Sequence, residues 1–411
     1  MTRALRLAAG WSLALVAAIL LNVLLIGPSV APAPVGVAGA ASPTPRSTAA
    51  AHQSGAPTYP ADRVPALPSG PPSDETRAGA FAPEPAPLPA DRAAELQAAI
   101  DRARAKFGLA ALAVGVSIHG ERSWSGASGL ARDGATPLDG ASPFAIASIT
   151  KTFTSALVLQ LAEEERLSLD ASVADLLPDA GLDPAITIRQ LLSHTSGIAD
   201  LLAPLRPDLN ADTERRWQPA EVVGKIDARW FAPGASYAYS NTNYVLLGMV
   251  IERVTGHAYV DELRHRLLDP LDLDDTGLLL EDGAPYLMRP AWASAFGTAG
   301  AMYASASDLL RWTDALYDGH VLLPATRARQ LSFDENDYGL GAQRIQIGSH
   351  LGYGHSGLLQ GFTSLAVHLP GSDASLVVLG TYRSFEPAQL LTWSTADEPS
   401  ILDLVLRAGE G

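Results

Sequence analysis

Apolar residues fall into three successive patterns along the chain, and each predicts a different physical state. The first is an uncharged, mostly apolar run over residues 7–26, preceded by Arg3 and Arg6 and closed by Gly27-Pro28. Basic residues ahead of such a run read as an export signal. Twenty helical residues also reach about 30 Å, enough to span the hydrocarbon layer of a bilayer. A cleaved signal peptide, with Ala38-Gly39-Ala40 as a distant small-residue cleavage site, and an uncleaved signal anchor are therefore both open. The second pattern, residues 27–90, is Pro, Ala, Ser and Gly with few large apolar side chains. It cannot bury enough surface to offset the entropy of ordering, and reads as a disordered linker.

The third pattern is periodic and covers residues 91–411. Asp91 is a candidate helix cap, after which Ala93, Leu96, Ile100, Ala103 and Phe107 recur at helical spacing. Residues 110–118 read as a buried strand, and His119-Gly120 as a tight turn into a strand over 122–127. A helix then runs from Ser148 to about residue 165. Residues 167–323 are mostly helical with long loops, including an apolar helix over 244–254 stopped by Gly256. A capping box is predicted at Ser305-Ala306-Ser307-Asp308. Strands return at 363–369 and 375–381 around the turn Pro370-Gly371-Ser372-Asp373, and a helix over 401–407 follows. Strands at both ends with helices between predict an α+β domain: one antiparallel sheet built from both ends, flanked by helices, with a mostly helical inserted subdomain.

Composition narrows the function. With 47% apolar and 18% charged residues among 411, a sizeable core is expected. A formal net charge of −15 argues against a nucleic-acid partner. The chain has no cysteine, which excludes disulfides and thiolate chemistry. Its nine histidines show no metal-ligand spacing and no phosphate-cradling Gly-Lys-Ser/Thr loop occurs, so neither metal nor cofactor is expected.

The chemistry begins at Phe144-Ala145-Ile146-Ala147-Ser148-Ile149-Thr150-Lys151. Residues i and i+3 share a helix face, so the Lys151 amine lies within reach of the Ser148 hydroxyl. A serine needs an adjacent base to act as a nucleophile, and a lysine becomes one when burial lowers its pKa. Lys106, Lys151 and Lys225 are the three lysines in the chain, and Lys151 alone has serine three positions before it. Tyr239-Ser240-Asn241 stands at the mouth of the 244–254 helix. A tyrosine there shuttles protons if a nearby ammonium lowers its pKa, and Asn241 either holds Lys151 or caps the helix. Gly352-Tyr353-Gly354-His355-Ser356-Gly357-Leu358 stands ahead of the last strands. An edge strand here would offer the Leu358 N–H to an oxyanion hole completed by the Ser148 N–H, with His355 polarising Tyr239 or the substrate.

These three pieces in this order resemble the penicillin-recognising serine hydrolases, whose pattern is Ser-x-x-Lys, then Ser-x-Asn, then Lys-Thr-Gly. The Tyr-x-Asn and His-x-Gly variants look like the branch of class C β-lactamases, serine D-alanyl-D-alanine carboxypeptidases and related esterases. Residues 191–197, 240–244, 338–341 and 355–361 resemble the same family. The resemblance implies that Ser148 is acylated and Lys151 is its proton partner. It makes Tyr239 general base and acid, Asn241 the group that positions lysine and substrate amide, and His355 the occupant of the third-motif cation position. Ser356, Gly357 and Arg344 are candidate substrate contacts. The resemblance gives the 191–197 segment no catalytic role, and His194 is expected to be structural.

One departure bears on substrate. Relatives that bind a substrate carboxylate offer a cation and hydroxyls at the third motif, whereas this chain has His355 and, after Gly357, Leu358. Losing a charge-assisted bond to a carboxylate costs about 1.5–3 kcal/mol. The expectation is an exported, cofactor-free serine hydrolase working through an acyl-enzyme. The preferred substrate is a D-alanyl-D-alanine or other peptidoglycan-type amide, since a long linker suits a cell wall. Carboxylesterase, class C-like β-lactamase and a non-catalytic sensor of wall fragments are the alternatives. Expected partners are a small or peptidoglycan-derived substrate, β-lactams included, and the membrane if the leader is retained.

Overall fold

The computed structural model describes residues 85–381 and 385–409. The expected leader and nearly all of the linker lie outside the described residues. Among the described residues no helix is long and apolar enough to cross a membrane.

Strand β2 (Ala111–Ile118) shows why the two ends of the domain meet. Every residue in it is buried, so it needs cover on both faces. Its side chains alternate between two cores. Leu112, Val114 and Val116 join one cluster with Leu96 and Ile100 of helix α1 (Ala90–Phe107), while Ala111 and Ala113 join the other. Its neighbours come from opposite ends of the domain. It is antiparallel to β3 (Arg122–Gly129) on one side and to β10 (Ala374–Thr381) on the other. The full order is β1-β3-β2-β10-β9-β8-β7, with β1 (Ala86–Pro87), β7 (Gln343–Ile347), β8 (His350–Leu359) and β9 (Phe362–Leu369) completing it. The expected α+β class and two-ended sheet are borne out, with one correction: β1 runs parallel to β3.

A second sheet, ordered β4-β6-β5, joins Phe144–Ala145 (β4), Met302–Ala304 (β6) and Gly277–Leu278 (β5). It anchors the turn that carries Ser148. Ala147–Ile149 forms a 3-10 turn leading into helix α2 (Thr150–Glu163), and Ile146 N donates to Met302 O at 3.0 Å. Helices α3 (Asn241–Thr255) and α4 (Pro290–Gly300) pack against α2. Helix α5 (Ala306–Asp318) lies on the sheet face bearing Ala111, Ala113 and Val377. Gly115 permits that approach, because a Cβ there would stand 2.9 Å from Ala306 O. Helix α6 (Ile401–Ala408) covers the other face with α1.

Local signals were read less accurately than elements. Pro89, not Asp91, caps α1, because the helix starts at Ala90 and leaves Asp91 inside the first turn. The box at the start of α5 is half formed. Ser305 Oγ accepts from Asp308 N at 3.1 Å, but the Asp308 carboxylate turns away to accept from Asp275 N and Thr276 Oγ1 at 2.8 and 2.9 Å.

Two contacts press the Ser148 turn against the sheet. Ser364 Oγ on β9 donates to Ile146 O at 2.8 Å. Gly357 on β8 lies so close that a Cβ would stand 2.5 Å from Ile146 O and closer still to Ser364 Oγ. Gly357→Ala is therefore expected to push β8 off the turn. It should destabilise the fold by about 1–3 kcal/mol and reduce kcat/KM at least tenfold; a fully active, equally stable variant in thermal melts would contradict this contact.

Candidate active site

Lys151 is fully buried on α2, and its amine has three partners. Nζ lies 3.1 Å from Ser148 Oγ, 2.8 Å from Asn241 Oδ1 and 2.7 Å from Ala299 O. The last two only accept. The orientation of the Asn241 amide is fixed in turn, because its Nδ2 donates to the Asp200 carboxylate at 2.8 Å, leaving Oδ1 for the amine. Burial lowers the Lys151 pKa to about 7, against a smaller upward pull from Asp200. In the neutral amine two hydrogens go to Asn241 and Ala299. The lone pair is left facing Ser148, whose hydroxyl donates to it.

Asp200 was not anticipated from sequence. It also accepts from the backbone N of Asn241 at 2.6 Å, while its other oxygen accepts from Leu202 N at 2.8 Å. It therefore serves the first N–H of α3, a place that Ser240, the residue before the helix, leaves without a side-chain bond. Asn241 does not cap the helix.

The 191–197 segment is the scaffold for this corner. Ser196 Oγ donates to Asn243 Oδ1 at 2.7 Å, so Asn243 Nδ2 donates to His194 Nδ1 at 3.1 Å. Ser240 N donates to the same His194 nitrogen at 3.2 Å. With Nδ1 accepting, His194 Nε2 carries the proton and donates to Tyr338 Oη at 3.2 Å. Tyr338 then donates to His355 Nε2 at 3.0 Å, and His355 Nδ1 donates to Ser356 O at 2.6 Å. The chain of donors thus runs in one direction from a backbone N–H to a backbone carbonyl. Burial lowers the pKa of both histidines, that of His355 to about 3.

His355, which stands where carboxylate-binding relatives offer a cation, is buried, neutral and bonded to Tyr338, not to Tyr239. Ser356 is also engaged, its N and Oγ each donating to Gln343 Oε1 at 3.0 Å. Arg344 pairs with Asp337 at 2.9 Å and lies over the Phe333 ring; among the described residues no contact brings it to Ser148. Lys151 Nζ stands 4.8 Å from the Tyr239 ring centroid and His194 packs on that ring at 4.3 Å. The Tyr239 pKa is not lowered as expected but raised well above 10 by burial. Its hydroxyl is buried beside Ser148, and that contact opposes the shift without reversing it.

Two backbone N–H groups complete the site. Ser148 N belongs to a first helical turn, where such groups have no intrahelical acceptor. Leu358 lies on β8, which β7 covers only as far as Gly354, opposite Gln343. Gln360 (φ 49°) and Gly361 (φ 87°) form a two-residue turn between the paired residues Leu359 and Phe362. Alternation in an antiparallel ladder then turns the N–H groups of Ser356 and Leu358 away from β9. That of Ser356 goes to Gln343, and that of Leu358 faces the open edge beside the Ser148 turn. The expected edge is thus only the second half of β8.

The Beta-lactamase family profile matches residues 96–397. The chain belongs to the beta-lactamase family. It is 30% identical over 283 residues to penicillin-binding protein 4 of Amycolatopsis lactamdurans, covering 58% of this chain and 72% of that protein. It is 28% identical over 271 residues to protein flp of Staphylococcus aureus, spanning 59% of this chain and only 53% of that one. A D-stereospecific amidohydrolase from Streptomyces sp. superposes with a TM-score of 0.61 at 29% identity, covering 70% of this chain and 94% of that one. This beta-lactamase-family member is a serine hydrolase, and its fold brings Ser148, Lys151 and Asn241 into direct contact.

Replacing Asp200 with Ala tests how the amine is held. Asn241 loses the group that orients it, and Lys151 loses the charge that raises its pKa. The variant is expected to lose ten- to a hundredfold in kcat, with the acid limb of its pH profile displaced downward; an unmoved or rising limb would contradict the geometry.

Proposed function

We propose that this chain is an acyl-enzyme-forming amidase or esterase for substrates with no free carboxylate beside the scissile bond. The observation that carries the reading is the Lys151 amine, poised to be neutral near pH 7 with its lone pair on Ser148. Lys151 takes the hydroxyl proton as Ser148 Oγ attacks the carbonyl carbon. The N–H groups of Ser148 and Leu358 donate to the developing oxyanion. Tyr239, neutral, donates its proton to the departing nitrogen or oxygen, and the phenolate so formed takes back the proton that the neighbouring Lys151 ammonium holds. Water attacks the resulting ester, and the same groups act in reverse to free the acid. A phenol that burial keeps protonated has a proton to give and none to take, which supports Lys151 as the first base.

Among the described residues, the lack of a free cation at the third motif supports the neutral-substrate reading. His355, Ser356 and Arg344 are each committed elsewhere. The Streptomyces neighbour, titled a D-stereospecific amidohydrolase, suggests amides of D-amino acids as the acyl class. The second reading, a D-alanyl-D-alanine carboxypeptidase, is favoured by the relative named penicillin-binding protein 4. The basic residues and apolar run at 3–26 support a place outside the cytoplasm, within reach of a cell wall.

Three measurements test this. Activity should rise with pH through about 7 as Lys151 loses its proton, and a bell centred below pH 6 would overturn lysine as the base. Intact-mass spectrometry with a nitrophenyl ester or a D-amino acid amide should show an acyl adduct that Ser148→Ala abolishes. An acyl-D-Ala-D-Ala amide should be turned over about tenfold or more better than its free acid. The opposite preference would restore the carboxypeptidase reading.

A further inference from the structure

We propose that Asp318, His368 and Asp373 form a site for a divalent transition-metal ion, separate from the Ser148 site, which ties the end of α5 to the sheet. The three residues come from different elements: Asp318 ends α5, His368 lies near the end of β9, and Asp373 stands in the turn between β9 and β10. One imidazole nitrogen and one oxygen from each carboxylate lie within 4.8 Å of one another. Two ligand atoms on one tetrahedral ion sit about 3.4 Å apart, so small rotamer shifts would close the set.

The second observation is how His368 is held. It is 5% exposed, and its Nδ1 meets Ser375 Oγ at 3.2 Å. Ser375 is itself buried on β10, and its hydroxyl faces the Asp314 carboxylate on α5. With the Ser375 proton directed to Asp314, its oxygen accepts from His368 Nδ1. That tautomer leaves Nε2 as the ring nitrogen with a lone pair to offer a metal ion, and the Asp318 and Asp373 carboxylates act on the same ring. A carboxylate, a hydroxyl and an imidazole in line are the kind of support that orients a metal-bound histidine. An imidazole nitrogen lone pair beside two carboxylates is a donor set that suits a transition-metal cation. Tyr353 and Tyr317 wall the ring at 5.4 and 6.3 Å. His320, Arg327, Asp314 and Tyr353 are the other charged or titratable side chains in electrostatic reach of Asp318. His320 is available as a further ligand, and Arg327 is the competing cation.

His368 lies four residues beyond Ser364 on the same strand, about 13 Å along it, so the ion would touch none of the acyl-transfer groups. Its effect would be mechanical. Helix α5 carries Trp312, which stacks on Phe153 of α2 at 3.9 Å and donates to Thr152 Oγ1 at 2.9 Å. Fixing the end of α5 would thereby stiffen the helix that holds Lys151.

The test uses the full chain stripped with EDTA and titrated with ZnCl2, MnCl2 or CaCl2 by calorimetry and thermal melting. One equivalent of Zn2+ or Mn2+ is expected to bind in preference to Ca2+, because an imidazole nitrogen is among the ligands. Tm should rise by about 5 °C at a hundredfold excess over Kd, with ester hydrolysis at the unstressed temperature unchanged. Asp373→Asn, in an exposed turn, and Asp318→Asn should each weaken binding at least tenfold, whereas His257→Ala should leave it unaltered. Equal binding by wild type and Asp373→Asn would place the ion elsewhere and overturn the site. So would no binding at millimolar metal together with an imidazolium at His368 in histidine NMR titrations, which would make the cluster an ion pair.

Discussion

A buried amine with two of its hydrogens already assigned is the constraint that organises this molecule. Asn241 Oδ1 and Ala299 O hold Lys151 from opposite elements, and neither can reverse its polarity. The serine is left with a lone pair, not a competing donor. Desolvation keeps the amine poised near neutrality, and the Asp200 carboxylate limits how far that goes. Helices α2, α3 and α4 must all be in place for this, so the reactivity of one hydroxyl depends on the packing of the helical half of the domain.

The second polar system, running from Ser240 N through His194, Tyr338 and His355 to Ser356 O, is organised on the opposite principle. Each member's proton is fixed by a backbone group at one end of the line, and every group is neutral. A low-dielectric wall of oriented dipoles beside Lys151 disfavours a second positive charge there. Among the described residues, that is the physical reason why His355 offers the third motif no positive charge.

Two strained backbone positions fall at the same place. Ala147 (φ 48°) and His194 (φ 59°) occupy the left-handed region without being glycine. Ala147 turns the chain so that Ser148 begins a helix against β8, and His194 turns its ring beneath Tyr239. Both are held by neighbours on other elements, Ile146 by Met302 and Ser364, and His194 by Ser240 and Asn243.

Much of this was readable from residues in order. The strands at 110–118, 363–369 and 375–381 announced themselves as apolar runs because sheets covered on both faces leave no polar side to alternate with. Ser148 and Lys151 were legible because one helical turn brings them together. Asp200, Tyr338, Gln343 and Ala299 carried no such signal. Their partners lie 41, 17, 13 and 148 positions away, and no local period encodes contacts of that range. Sequence therefore determined the elements, the family and the pair of groups able to react. Tertiary packing alone decided their protonation: how deeply an amine, a phenol and two imidazoles are buried, and which neighbours hold their hydrogens, is a property of the assembled chain.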